Sequence, residues 1–163
     1  MARLEIQLVP DSCWCSNLRS ILSKKEWDIV RHDAYARAGG KCGICSRSVS
    51  RLEAHEKWEY DEDTHTQRLV DVVALCHSCH SVVHIGRTSL VGDIDKAEKW
   101  YMKVNECSYA DYRKDLARAT EEHIRRNQID EWNLDISYLV DLISDAIASG
   151  RLDATKYVNK GDK

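Results

Sequence analysis

The sequence contains a single proline and no apolar run that approaches the roughly 20 residues needed to span a membrane. Its apolar content is ordinary for a folded domain, which excludes an intrinsically disordered chain. The start of the chain lacks the apolar core of a signal peptide, so we expect a cytoplasmic protein with no membrane segment. A length of 163 residues suits one domain, or one domain with an appendage.

The chain also lacks the surplus of basic residues that most nucleic-acid-binding proteins carry. Its formal net charge is −3, whereas contacts with phosphate groups supply most of the affinity of such proteins. The overall charge therefore argues mildly against a nucleic-acid ligand, and any such ligand must be bound by a local group of cations.

Cysteine, by contrast, is abundant, with seven residues in the chain. In a cytoplasmic protein this number indicates metal binding before disulfides. The pairs Cys42-x2-Cys45 and Cys76-x2-Cys79 are separated by 30 residues, and each pair lies in a predicted turn. Four thiolates form the closed tetrahedral shell that structural Zn²⁺ prefers, so we predict a zinc clamp. Cys13, Cys15 and Cys107 show no paired pattern, and Cys13 and Cys15 are predicted to pack in a loop.

Alternating apolar and polar residues predict an N-terminal strand over residues 3–9. Residues 51–60 and 68–75 predict two further strands, joined by an acidic turn over 61–67, and together they form a hairpin between the two cysteine pairs. This acidic turn is hard to combine with a duplex lying across the hairpin, and we consider it a candidate contact for a protein partner.

Two capping boxes mark the starts of predicted helices, the first formed by Ser23 with Glu26 and the second by Ser108 with Asp111. A shorter helix, ended by Gly86, should follow the second hairpin strand. The predicted helices cover residues 24–38, 76–84, 93–105 and 109–127.

Gly92 is a plausible domain boundary, which divides the chain into a metal-binding domain over 1–92 and a helical extension over 93–163. The last helical segment has an apolar stripe that either covers the core or forms a homodimer interface. The residues of this stripe are Ile136, Leu139, Val140, Ile143 and Ile147.

Three histidines form a second candidate metal site. His80 and His84 are four residues apart on a predicted helix and therefore face the same side. His55 lies near the middle of the first hairpin strand, close enough in a compact hairpin-plus-helix to be a third ligand. Three protein ligands with open positions are typical of a catalytic metal site rather than a structural one.

The segments CGIC (42–45), LEAHE (52–56) and DVVALCHSCHSVVH (71–84) resemble the HNH endonuclease family, which has the ββα-metal fold. The resemblance implies an α+β protein with a zinc-clamped ββα-metal core that cleaves DNA phosphodiester bonds with metal-activated water. It implies a catalytic divalent ion, either Mg²⁺, Mn²⁺, Ni²⁺ or Zn²⁺, in addition to the structural Zn²⁺.

The resemblance also implies roles for individual residues. His55, His80 and His84 fall on the family's metal-ligand positions, and the four clamp cysteines fall on the zinc ligands of its cysteine-bearing branch. Glu56 falls where the family has a general-base histidine, and Asp71 falls where it has an asparagine. A group of bacterial and phage proteins of the HNH type, similar to this chain in flanking motifs, carries the same His-Glu pair.

The replacement of the base leaves two functions open. A carboxylate such as Glu56 can accept a proton from metal-polarised water, which would give a working nuclease. Alternatively, the protein is a catalytically degenerate zinc-binding module that binds nucleic acid or a protein without cleaving anything. The candidate nucleic-acid contacts near the clamp and near the helix with His80 and His84 are Lys41, Arg51 and Arg87.

Overall fold

The computed structural model of the protein describes residues 3–153 and 155, and part of the predicted extension, residues 154 and 156–163, lies outside them. The described part is a mixed α/β structure with one three-stranded sheet in the order β1-β2-β3. The strands are β1 (Glu53–Asp61), β2 (Thr66–Leu75) and β3 (Asn133–Asp135). The helices are α1 (Leu18–Ile21), α2 (Lys24–Ala38), α3 (His77–Val83), α4 (Ile85–Val91), α5 (Ile94–Asn105), α6 (Tyr109–Arg126) and α7 (Val140–Ala148). This architecture confirms the α+β class.

The predicted capping boxes are confirmed, and they fix the starts of α2 and α6. The Ser23 hydroxyl accepts a hydrogen bond from the Glu26 N–H, and the Glu26 carboxylate accepts one from the Ser23 N–H. Helix α2 ends where Gly39 adopts a left-handed conformation with φ +57°, which a glycine reaches without steric cost. Its bounds, Lys24–Ala38, are the predicted ones.

The two faces of the β1–β2 hairpin pack against different helices, because successive side chains of a strand point to opposite faces. Ala54 and Trp58 pack with α2 and the start of the α7 region, whereas Val73 packs with the cysteines and α3. The core therefore consists of two apolar clusters with the hairpin between them. The first is centred on Leu4, Ile6, Leu75, Val82, Val83, Tyr101 and Tyr112, and the second on Leu18, Trp27, Val30, Ala34, Leu69, Val72 and Leu139.

The prediction of a strand over residues 3–9 is wrong, although its alternating burial is correct, with Leu4 and Ile6 fully buried. The segment is extended but is not part of the sheet. Side chains from α5 and α6 replace the missing neighbour strand. The Leu4 N–H donates to Asn105 Oδ1 at 2.9 Å, and the Ile6 N–H donates to Asp115 Oδ2 at 2.9 Å.

The prediction that Gly86 ends the helix after the second hairpin strand is also wrong. Helix α3 ends at Val83, the backbone turns at His84, and α4 begins at Ile85, so Gly86 lies inside a helix. A Cβ atom at this glycine would lie 3.3 Å from Leu8 Cδ2. Gly86 therefore serves the close approach of the N-terminal segment to α4.

The first apolar cluster takes side chains from both sides of the boundary predicted at Gly92. The division into two domains stays a prediction. In the C-terminal stripe, Leu139 is buried and Ile143 is partly buried, but Val140 is 59% exposed, so the stripe covers the second cluster only in part. A homodimer stays a prediction as well. Among the described residues, no helix has both the length and the apolar character that a membrane crossing requires.

The anchoring of the N-terminal segment gives a first prediction. Asn105 Oδ1 accepts hydrogen bonds from two backbone N–H groups, and its Nδ2 donates to the Leu4 carbonyl. We expect Asn105→Ala to lower the free energy of unfolding by about 1–3 kcal/mol, because the buried backbone of Leu4 loses its partners. Asn105→Asp retains the acceptor and should lose less. Urea denaturation of both variants checks this, and an alanine variant as stable as the wild type would contradict it.

Candidate metal centres

The four clamp cysteines converge where the hairpin meets α3. Cys42 and Cys45 lie in the turn before β1, Cys76 is the N-cap of α3, and Cys79 lies in its first turn. All four Sγ atoms lie within 4.8 Å of one another, and Cys45 Sγ is 3.7 Å from Cys76 Sγ. A ZnS₄ tetrahedron with bonds of about 2.3 Å has edges of about 3.8 Å. The four cysteines could therefore hold a zinc ion, as predicted.

The four sulfurs do not all favour the thiolate form in the absence of a metal ion. Hydrogen bonding from Cys79 and from backbone N–H groups lowers the pKa of Cys42, and the same interaction with Cys42, together with burial, raises the pKa of Cys79. Four adjacent thiolates repel one another unless a metal ion neutralises them. Zn²⁺ at this position would therefore stabilise the fold as it binds.

Trp100 is an outer partner of the clamp that the sequence analysis did not identify. Its indole Nε1–H donates a hydrogen bond to Cys79 Sγ at 3.2 Å. The Arg47 guanidinium lies 4.6 Å from the centroid of the Trp100 ring and contributes a cation–π contact. Outer partners of this kind orient metal ligands and commonly affect metal affinity.

The three histidines also converge, on the α3 side of the hairpin. His55 comes from β1, His80 from α3 and His84 from the end of α3, and their ligand atoms all lie within 4.8 Å of one another. His55 Nδ1 is 3.1 Å from His84 Nε2, and two nitrogens bound to one tetrahedral Zn²⁺ are about 3.3 Å apart. His55 Nε2 is buried and has no hydrogen-bond partner in the described part of the chain. The group therefore has the chemistry and spacing of metal ligands.

The three rings are held neutral, which is the form that binds metals. Burial lowers the pKa of His55 to about 3 and the pKa of His84 to about 4. Burial also lowers the pKa of His80, although Glu53 acts in the opposite direction. At neutral pH each imidazole therefore has a lone pair available for an ion.

Glu53 orients His80 and was not among the predicted site residues. Its Oε2 pairs with His80 Nδ1 at 2.5 Å, and its Oε1 pairs with the exposed His77 Nδ1 at 3.0 Å. Burial acts to raise the pKa of Glu53, but the hydrogen bonds from His77 and His80 outweigh it and keep the pKa below its ordinary value. With Nδ1–H bound to the carboxylate, His80 has its Nε2 available for a metal. The signal in the sequence was the spacing of two between Glu53 and His55, which places them on one face of β1.

Glu56 lies on the other face of β1. Its Oε1 accepts from the Leu18 N–H at 2.9 Å, and its Oε2 accepts from Trp58 Nε1 at 3.0 Å. Burial raises its pKa, and its hydrogen-bonding donors come from α1 and β1 rather than from α3. Its position does not support the predicted role as a base at the histidines, and that role stays a prediction.

Asp71 also lies outside the histidine group. Its Oδ1 accepts hydrogen bonds from the Tyr138 hydroxyl at 2.8 Å and from Arg37 Nη2 at 3.3 Å. The carboxylate thus ties β2 to α2 and to the turn before α7, instead of bonding across the hairpin. Lys41 pairs through its backbone with Ser48 in the cysteine turn.

The acidic hairpin turn, which we considered a candidate protein contact, is largely occupied within the chain. Glu62 forms ion pairs with Arg125 and Arg126 at the end of α6. Asp61 Oδ1 accepts hydrogen bonds from the Asp63 and Thr64 N–H groups and stabilises the turn itself. The turn thus connects the hairpin to α6.

The histidines line a cleft of about 2110 Å³ whose lining contains eight lysine and arginine residues and seven carboxylates. Arg51 and Arg87, two of the predicted nucleic-acid contacts, lie along it, and Lys41 does not. Four cations of the lining form no salt bridge with residues 3–153 and 155: Arg19, Lys24, Arg51 and Arg87. Four acids of this lining also form no salt bridge within the same residues, and two of them, Glu56 and Asp61, accept hydrogen bonds instead: Glu5, Glu56, Glu59 and Asp61. An anion in the cleft would therefore have to be bound by these local cations, since the lining as a whole is close to neutral.

Comparison with known proteins identified no relative: no family model, no curated protein and no solved structure matches the chain. The motifs and the geometry of the two metal centres therefore carry the functional argument by themselves.

The hydrogen bond between Trp100 and Cys79 gives a prediction about the clamp. We expect Trp100→Phe to weaken zinc binding by roughly tenfold, the lower end of the effect of removing an outer-shell partner. Competition with a chromogenic chelator measures this. Trp132→Phe is the matched control, because the buried Trp132 Nε1 has no hydrogen-bond partner among the described residues. Equal zinc affinity in the two variants would show that the Trp100 hydrogen bond is unimportant.

Glu56 gives a second prediction, which separates a structural from a catalytic role. In Glu56→Gln the side-chain NH₂ group would face either the Leu18 N–H or the Trp58 Nε1–H, and that donor would lose its acceptor. We therefore expect the free energy of unfolding to fall by about 1–3 kcal/mol. Metal content should stay unchanged. Glu59→Gln, on an exposed position of the same strand, should change stability by less than about 0.5 kcal/mol. A fully stable Glu56→Gln protein that no longer cleaves DNA would instead identify Glu56 as a catalytic residue.

Proposed function

We propose that the protein is a metal-dependent nuclease of the HNH type that hydrolyses DNA phosphodiester bonds. The observation that carries this proposal is the convergence of His55, His80 and His84 on a point separate from the cysteine clamp. A structural zinc clamp does not need these histidines, since four thiolates already close its coordination shell.

The composition of the histidine group supports a catalytic ion rather than a second structural one. Three ligands leave coordination positions open for water and for a phosphate oxygen. A divalent ion held there would polarise a phosphate and lower the pKa of a bound water. Neutral imidazoles favour Zn²⁺ or Ni²⁺ over Mg²⁺, which prefers oxygen ligands.

The residues of the chain have separate tasks under this proposal. The three histidines hold the ion, and Glu53 fixes the ring orientation of His80 through its hydrogen bond. Arg51 and Arg87, which line the cleft without salt bridges to the described residues, hold the phosphodiester backbone. Trp14 lines the same cleft with 63% of its surface exposed and offers a stacking surface for a base.

Glu56 is not placed to take the proton of the attacking water in this arrangement. The Glu56 carboxylate is engaged by Leu18 and Trp58 on the other face of β1. We therefore assign proton transfer to solvent in the open cleft, which is compatible with slow hydrolysis.

The position of Glu56 also supports a second candidate function. A protein with both metal centres but without a general base can bind nucleic acid without cleaving it. The unpaired cations of the cleft serve either function equally, because phosphate contacts contribute to binding whether or not cleavage follows. The two candidates differ only in turnover.

The proposal predicts two metal ions per chain, one of which depends on the histidines. We expect His84→Ala to retain one zinc ion, to lose the second ion and to lose plasmid cleavage in Mn²⁺, Ni²⁺ or Zn²⁺. Elemental analysis of the purified protein and a plasmid-nicking assay measure the two effects. His32→Ala, an exposed position on α2, is the matched control and should behave as the wild type.

Two results would contradict the proposal in different ways. One ion per chain in the wild-type protein would remove the second metal centre. Two ions and binding of DNA without cleavage in any of these metals would remove the nuclease activity and leave the binding module.

A further inference from the structure

Outside the cleft, the described part of the chain has a second basic surface, which lies on α5. Lys96, Lys99 and Lys103 are all exposed and recur at a spacing of three and four residues, so they share one face of the helix. The three lysines border a shallow concavity of about 470 Å³ together with Trp100, Asp93 and Asp95. We call Lys96, Lys99 and Lys103 the α5 lysine face.

The charges of this face are only partly neutralised within the described chain. None of the three lysines forms a salt bridge with residues 3–153 and 155. Asp93 is the N-cap of α5, and its Oδ1 accepts the Lys96 N–H, while Asp95 lies in the first turn, where a carboxylate stabilises the helix dipole. The two acids keep their charge and offset part of that of the lysines, so three positive and two negative charges border the concavity.

The α5 lysine face is continuous with the zinc clamp. Trp100 lies between them, with Lys103 Nζ at 5.5 Å and the Arg47 guanidinium at 4.6 Å from its ring centroid. Arg47 belongs to the turn that carries Cys42 and Cys45, is exposed, and forms no salt bridge with the described residues. Two cations without salt bridges, Arg47 and Lys103, therefore lie against one tryptophan that is hydrogen-bonded to a clamp sulfur.

The shape of this set suits an extended anion. From Lys96 to Lys103 the helix rises about 10 Å, which corresponds to about three phosphates of one DNA strand at a rise of 3.4 Å each. Lysine ammonium groups bind phosphates as point charges without strict geometry. An isolated small anion would need only one or two of these cations.

We propose that the α5 lysine face, with Arg47, binds the phosphodiester backbone of duplex DNA next to the segment held in the histidine cleft. The identity of the nucleic acid rests on the proposed function, whereas the preference for a polyanion rests on the unpaired charges. In this arrangement the clamp joins two DNA-contacting surfaces, the cleft and α5, through Trp100 and Cys79.

Binding of a short fluorescent duplex to the full zinc-loaded chain, followed by anisotropy over a series of KCl concentrations, tests the proposal. All proteins carry His84→Ala to prevent cleavage. Lys96→Gln, Lys99→Gln and Lys103→Gln are combined in one variant. We expect its Kd to rise about tenfold at low salt. The slope of the logarithm of the association constant against log salt should become less negative by roughly 2 to 3, because each lost phosphate contact removes about 0.9 from its magnitude.

The matched control combines Lys25→Gln, Lys57→Gln and Arg113→Gln, which remove the same charge from three exposed positions elsewhere. Its salt slope should equal that of the parent. Equal slopes in the two triple variants, or no binding of duplex by the parent, would overturn the proposal. So would lysine-dependent binding to phosphatidylserine vesicles without binding to duplex, since the partner would then be a membrane surface.

The result of this DNA-binding experiment can be separated from the result of the nuclease assay. Wild-type cleavage with equal slopes in the two triple variants would reject only the α5 lysine face. Lysine-dependent duplex binding without cleavage by the wild type would reject only the nuclease.

Discussion

The mutual repulsion of four sulfurs brought within 4.8 Å of one another is the constraint from which the rest of the site follows. Two of these cysteines precede β1 and two begin α3, so an ion that holds them fixes the end of the hairpin against the start of the helix. Once that junction is set, β1 and α3 have fixed positions relative to each other. His55 on β1 then lies next to His80 and His84, which follow the cysteines along α3. The second centre is thus a geometric result of the first.

Strand alternation then divides the functions of neighbouring residues. His55 faces α3 and the neutral imidazoles, while Glu56 faces α1 and serves as an acceptor for Leu18 and Trp58. Adjacent positions in a regular strand point to opposite faces. A motif in which a metal ligand is followed directly by a base therefore needs a local departure from regular pairing. In this hairpin the irregularity comes later, between Lys57 and Trp58, after both residues have been placed.

Local features of the sequence predicted their structures well. The capping boxes at Ser23 and Ser108 fix helix starts through contacts between residues three apart. The cysteine spacing predicted the clamp because one pair occupies a short turn and the other the start of α3. Long-range contacts were not predictable in this way. Residues 3–9 have the alternation of a strand, but their hydrogen-bond partners are side chains such as Asn105 and Asp115, about a hundred positions away. Trp100 likewise reaches Cys79 only after α5 packs on α3.

The parallel pairing of β3 with β2 has a consequence for the order of folding. Thr66 to Arg68 pair with Asn133 to Asp135, so this part of the hairpin edge stays open during synthesis until residues 133–135 have been made. An open edge is a template for pairing with other chains. The opposite edge, β1, is never covered by another strand of the described chain, but it carries charges at Glu53, Lys57, Glu59 and Asp61 that discourage such pairing. Truncation before residue 133 would therefore remove the cover from Thr66–Arg68, and aggregation of the nascent chain would be its first symptom.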